Sequence, residues 1–127
     1  MKNNYYRGLI IVKPHGTLII NKDKTLIIKV KKLINLLNKN LLLIENKTAL
    51  GIIMLTDIYE INRNEFEKLR NKHLITNEER SKWWPYKRNF YVYPIKIIKI
   101  FKHPIEIDYP QGPQVTVLPQ HIEIIKS

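Results

Sequence analysis

Two short stretches carry residue types that could act on a charged, aromatic ligand. The first is Lys24-Thr25. A lysine ammonium is a point charge for phosphate, and a neighbouring threonine hydroxyl can donate to a phosphate or base oxygen. The second is Ser81-Lys82-Trp83-Trp84-Pro85-Tyr86-Lys87-Arg88, the densest aromatic and basic segment of the chain. An exposed indole beside Lys82, Lys87 and Arg88 offers a stacking plane with phosphate charges nearby, as single-stranded nucleic acid requires. Adjacent helical residues point about 100° apart, so both indoles cannot bury in one direction. One is expected to cap the core and the other to lie at the surface or on a cleft wall, with Tyr86 as a further stacking group. The alternative is that both close the core from two sides. His15 follows Lys13-Pro14 and can stack on a base or donate to phosphate, or serve as a turn residue with one satisfied nitrogen. Tyr91 and Tyr93, two apart on one strand face, suit either a stacking platform or the core.

Other chemistries lack their residues. The chain has no cysteine, which removes disulfides, thiolate nucleophiles and Cys-ligated zinc together. His73, His103 and His121 lie far apart with no paired ligand spacing, so no metal site and no cofactor are expected. The four glycines are dispersed and form no phosphate-binding loop. The polar stretch from Asp108 to Gln114 reads as a plain turn.

Charge points to a polyanion. Lys and Arg number 22 against 11 Asp and Glu, a formal charge of +11. Such a field attracts nucleic acid. Only 5 of the 22 cations are arginine, the residue preferred for bidentate contacts. The 22 Ile, 17 Lys and 12 Asn also fit AT-rich codon usage, which makes part of the lysine excess compositional. A chain of 127 residues suits one domain, 1–127. The N-terminus lacks a signal-type apolar run, and no apolar run approaches the roughly 18 residues of a membrane span. A cytoplasmic protein is expected.

These residues must be positioned by many short strands. Leu9 to Val12 reads as a buried strand. Leu26, Ile28 and Val30 alternate with Ile27, Lys29 and Lys31, as in a half-exposed one. Leu41–Ile44 and Leu50–Ile58 form a hairpin about Glu45-Asn46-Lys47-Thr48. Phe90–Phe101 is a long strand with a bulge expected at Ile97-Ile98. Ile105–Ile107, Val115–Val117 and His121–Ile125 follow. Asn64 and Glu67 make a capping box for a helix running to about Asn71, and Thr76 and Glu79 make a second for a helix that Pro85 ends. A short helix is expected after Pro14. The class is mainly β with two or three short helices.

The order strand, Lys13-Pro14, apolar patch Leu18-Ile19-Ile20, then Lys24-Thr25 opening a second strand resembles the ASCH domain, a PUA-like β-barrel family associated with RNA. In that family a loop of the type Gly-x-Lys-Thr-x-Glu-x-Arg lines a cleft. Lys24 and Thr25 fill the Lys-Thr positions. Lys22 stands in place of the Gly, Ile27 of the acidic residue and Lys29 of the Arg. The resemblance implies a PUA-like barrel and a basic cleft that includes Lys13, Lys24 and Lys29. Some members are amidohydrolases acting on acylated cytidine, and some are ribonucleases. Here Ile27 cannot move a proton, and a free lysine near its reference pKa of about 10.4 is a poor base. The expected function is a non-catalytic module for RNA or single-stranded nucleic acid. Its contacts are Lys13, His15, Lys24, Thr25, Lys29, Trp83, Trp84, Tyr86, Lys87 and Arg88. The alternatives are a small hydrolase of the ASCH type and a protein-interaction subunit.

Overall fold

A computed structural model describes residues 6–110 and 115–125; the Gln111–Gln114 half of the polar loop lies outside them. The chain runs β1 (Arg7–Ile10), α1 (His15–Ile20), β2 (Leu26–Lys29), a 3₁₀ turn (Ile34–Leu36), β3 (Leu41–Glu45), β4 (Thr48–Leu55) and β5 (Tyr59–Asn62). Then come α2 (Arg63–Lys68), α3 (Arg70–His73), α4 (Asn77–Trp83), β6 (Asn89–Asp108), β7 (Thr116–Val117), a second 3₁₀ turn (Pro119–His121) and β8 (Glu123–Ile124). One sheet of order β2-β6-β4-β3-β1-β7, with β5 and β8 also on β6, curls into a half-barrel. No helix among the described residues is long and apolar enough to cross a membrane.

Strand β6 is the spine. It spans 20 residues and pairs antiparallel with four others: β5 at Asn89–Val92, β2 at Tyr91–Pro94, β4 at Ile95–Glu106 and β8 at Ile107–Asp108. The sequence suggested two strands, divided near His103-Pro104; a single strand spans both, and the β4 register shifts there, from Gly51–Ile100 to Ala49–Ile105. The bulge falls where expected: Ile52 faces Lys99 while Ile53 faces Ile97, so Ile98 is the extra residue. At Gly51 the β4 backbone lies against the Lys99 carbonyl, and a Cβ there would collide with it. The β3–β4 hairpin forms, with a tighter turn than expected: Glu45 and Thr48 pair, β4 runs Thr48–Leu55 rather than Leu50–Ile58, and Asn46 and Lys47 are both at positive φ (51° and 56°). Such φ values suit the turn that matches strand twist.

Two readings change, and one open alternative closes in favour of the core. Strand β2 is not half-exposed: Leu26, Ile27 and Ile28 are all buried, because the main core covers one face and the α2–α4 region the other. Tyr93 is fully buried and Tyr91 packs half-buried against the same core, so the pair makes no stacking platform. The Tyr93 hydroxyl donates to the Lys31 carbonyl at 2.6 Å and accepts from Leu33 N–H at 2.7 Å. The first capping box uses Asn62 and Glu65, two residues earlier than Asn64 and Glu67. Glu67 instead meets Arg70.

Candidate functional site

Four segments converge on one cavity of about 180 Å³. The segment just after β1 brings Ile11 and Val12, and the start of α1 brings His15. Lys24, Ile27, Ile28 and Lys29 come from β2 and the residues before it. Ile75, Trp83 and Trp84 come from α4 and its approach.

Local bonds fix these segments. The Glu45 carboxylate of β3 accepts from Thr17 N–H at 3.0 Å and from the Thr17 hydroxyl at 2.8 Å, which ties α1 to the sheet. The turn after α1 folds back, with Asp23 and Lys24 N–H donating to the Leu18 carbonyl. Thr25 N–H donates to the Lys72 carbonyl at 2.9 Å. Helix α4 starts at the Thr76–Glu79 capping box, as read. Its two indoles meet edge-on at 5.6 Å between centroids, and Trp84 lies 5.5 Å from Phe90.

Lys24 is only 3% exposed, and its ammonium donates to the His73 carbonyl. Burial, reinforced by the charge of Lys29, lowers its pKa to about 7 against the pull of Glu79. Lys29 is half-buried, and burial lowers its pKa as well. The expectation of a freely solvated Lys24 near 10.4 is therefore overturned: the residue sits inside the fold rather than on an open rim. His15 is 3% exposed; its Nε2 lies 2.9 Å from Glu79 Oε2, and Trp83 stands edge-on to its ring at 5.7 Å. Burial, then the Lys24 charge, holds the imidazole below its ordinary pKa.

Of the residues expected at the site, His15, Lys24, Lys29, Trp83 and Trp84 come together. Lys13 and Thr25 are exposed and do not line the cavity. Tyr86 is 93% exposed, Lys87 and Arg88 next to it in sequence are exposed, and none of the three lines the cavity. The two indoles do not divide into one buried and one free. Both are half-buried, both pack on the Phe90 core and both face the cavity. Sequence reasoning missed Glu79 as a site residue. Its Oε1 takes the Thr76 N–H of the capping box while its Oε2 takes His15. The capping motif accounted for the residue fully, so nothing in the sequence signalled the second bond.

The curled sheet, the short helices and a cleft at the turn between α1 and β2 define an ASCH-type, PUA-like fold. Solved structures with this fold include the ASCH protein of Zymomonas mobilis, at TM-score 0.63 and 11% identity over 97% of this chain and 89% of that one. A serine-to-alanine mutant of that protein gives TM-score 0.69 at 11% identity over 93% and 90%. A tyrosine-to-phenylalanine mutant gives 0.61 at 10% identity over 80% and 73%. No family model matches the sequence, and no curated protein matches it.

Proposed function

We propose that the protein binds single-stranded RNA, taking one base into the indole-walled cavity while exposed lysines meet the phosphates. The observation that carries this reading is a single cavity lined by both tryptophans together with Lys24 and Lys29. A planar apolar wall suits any base by stacking, and a cation beside it suits a carbonyl or phosphate oxygen. A cavity of about 180 Å³ has room for one ring system and not for a strand, so the rest of the ligand runs over the surface. Tyr86, Lys87 and Arg88 are exposed and follow Trp84 and Pro85 in sequence, so on this reading they supply a further stacking plane and charge for that part of the ligand. The test is titration of a labelled oligonucleotide, read by tryptophan fluorescence, with wild type and Trp83→Ala. Quenching with tight binding in wild type, weakened by about 1–3 kcal/mol in the variant, is the expected result. No binding at low salt removes the function.

The placing of Lys24 in one cavity with His15, whose ring meets Glu79, favours hydrolysis there as a second reading. A lysine that sheds its proton near pH 7 is a competent general base, and the titratable His15–Glu79 pair lies close by. The absence of an acidic residue at position 27 therefore does not leave Lys24 without a titratable neighbour. The assay is turnover of an acylated nucleoside and of RNA by wild type and Lys24→Ala side by side. The binding reading expects none from either. Turnover in wild type that vanishes in the variant replaces binding with catalysis.

A further inference from the structure

Among the described residues, His15 Nδ1 stands out as a buried side-chain nitrogen with no hydrogen-bond partner. Leaving such an atom unpaired costs about 1–3 kcal/mol, and an exception of this kind calls for an explanation such as a missing water or a functional group. The ring belongs to the cavity wall, and its other nitrogen is already committed to Glu79.

The protonation pattern follows from that bond. Burial would raise the Glu79 carboxyl, but hydrogen bonds from Thr76 N–H and from His15 outweigh it and hold the group below its ordinary value. An ionised carboxylate only accepts, so Nε2 carries the proton. The neutral imidazole then presents a bare lone pair at Nδ1. Among the polar groups that share this cavity, the Lys24 and Lys29 ammoniums and both indole N–H groups donate, and none of them bonds Nδ1. His15 Nδ1 is therefore an acceptor set among donors and apolar side chains.

Resting on the base-binding reading, we propose that His15 Nδ1 accepts a hydrogen bond from an N–H of the bound base. The pocket then selects rings whose pairing edge carries an amino or imino donor beside an oxygen or nitrogen that a lysine can reach. Nδ1 is covered in the unliganded protein, and Trp83 stands edge-on to the ring. Helix α4, which carries Trp83, has no fully buried residue. On this proposal the base stacks in the existing cavity, and a small displacement of this wall uncovers Nδ1 to it.

The test pairs each nucleoside with a methylated partner lacking the donor: adenosine with N6,N6-dimethyladenosine, cytidine with N4,N4-dimethylcytidine, uridine with 3-methyluridine, and guanosine with 1,N2,N2-trimethylguanosine. Binding is read by tryptophan fluorescence. At least one parent should bind, with its partner weaker by about tenfold or more. His15→Phe, which keeps a ring and removes the acceptor, should bring that pair to equal affinity. Nitrogen-15 spectra of the free wild-type protein should show the Nε2-protonated tautomer, and the Nδ1 signal should move only with the parent. Equal affinities within every pair for wild type overturn this inference and leave the pocket reading standing. A proton found on Nδ1 in the free protein, or discrimination that survives in His15→Phe, also overturns it. Failure of every nucleoside and of an oligonucleotide to bind overturns both readings.

Discussion

A lysine sealed to 3% exposure gives up the hydration of its ammonium and receives one backbone carbonyl, that of His73, in exchange. Lys24→Met keeps the volume and removes the charge, so it should stabilise the fold by about 1–3 kcal/mol while abolishing ligand binding. The folded pKa of about 7 lies below the ordinary 10.5, so the unfolded chain binds the extra proton between those values. Wild-type stability therefore climbs from pH 7 towards 10.5, and the advantage of the variant should be full at pH 6 and smaller at pH 9 by denaturant unfolding. His73 gives a second titration. It is fully buried and stacked on Phe66 at 4.2 Å; Nε2 lies 2.8 Å from the Phe66 carbonyl, and Nδ1 accepts from Ile75 N–H at 2.9 Å. A proton on Nδ1 would break the second bond. Burial lowers its pKa to about 4, so as pH falls from 6.5 towards 4 the unfolded chain protonates first and stability drops. The loss should approach about 1.4 kcal/mol per pH unit. A denaturation midpoint that stays flat over that range, after correction for carboxylates, would contradict it. The types of both residues were plain in the sequence, but their burial was not, because it depends on α3 and α4 closing over β2.

At the scale of elements, local rules located most of the structure and failed where two rules competed. Asn62 with Glu65 and Asn64 with Glu67 have the same capping spacing. The earlier box lets β5 run straight into α2, seats Phe66 on Phe90 at 4.8 Å and leaves Glu67 free for Arg70. Strand β5 itself was not legible: Ile61 is its single buried residue, and four residues with one apolar contact give no period. The β2 alternation misled because Ile27 and Ile28 are buried on opposite faces. At the turn after α1, the resemblance expects glycine where Lys22 stands. Lys22 is exposed with φ of 69°, the left-handed region that glycine enters without a Cβ penalty. Lys22→Gly should therefore stabilise the protein by about 0.5–1 kcal/mol with the cavity unchanged. A variant that melts at or below the wild-type temperature would show that the side chain has a contact role that outweighs the strain. Trp84→Ala should cost about 2–3 kcal/mol, less than a fully buried indole, because the ring is half-exposed. Trp83→Ala should cost less stability and more affinity.

For the molecule as a whole, the question is which of its many cations the ligand meets. The formal charge of +11 raises the local concentration of any polyanion, whatever the origin of the lysines. Their positions differ in consequence. Lys87 and Arg88 follow Trp84 and Pro85 in sequence, whereas Lys99 and Lys102 lie on the middle of β6, and Lys99 borders an apolar groove with Phe101 and Ile105. The fold separates these groups, and the sequence alone could not, since lysine is spread through every segment. If a base enters the cavity, its flanking phosphates pass Lys87 and Arg88 and not the β6 pair. Each neutralised phosphate contact lowers the slope of log affinity against log salt by about 0.7 for a single strand. Lys87→Gln with Arg88→Gln should therefore flatten that slope by roughly 1–1.5 and weaken binding at low salt. Lys99→Gln with Lys102→Gln removes the same charge and should leave the slope within about 0.3 of wild type. Both variants change exposed side chains, so their melting temperatures should match wild type and the comparison isolates electrostatics. Equal flattening by the two pairs would mean that the ligand samples the whole basic surface. The cavity would then have no part in placing the strand.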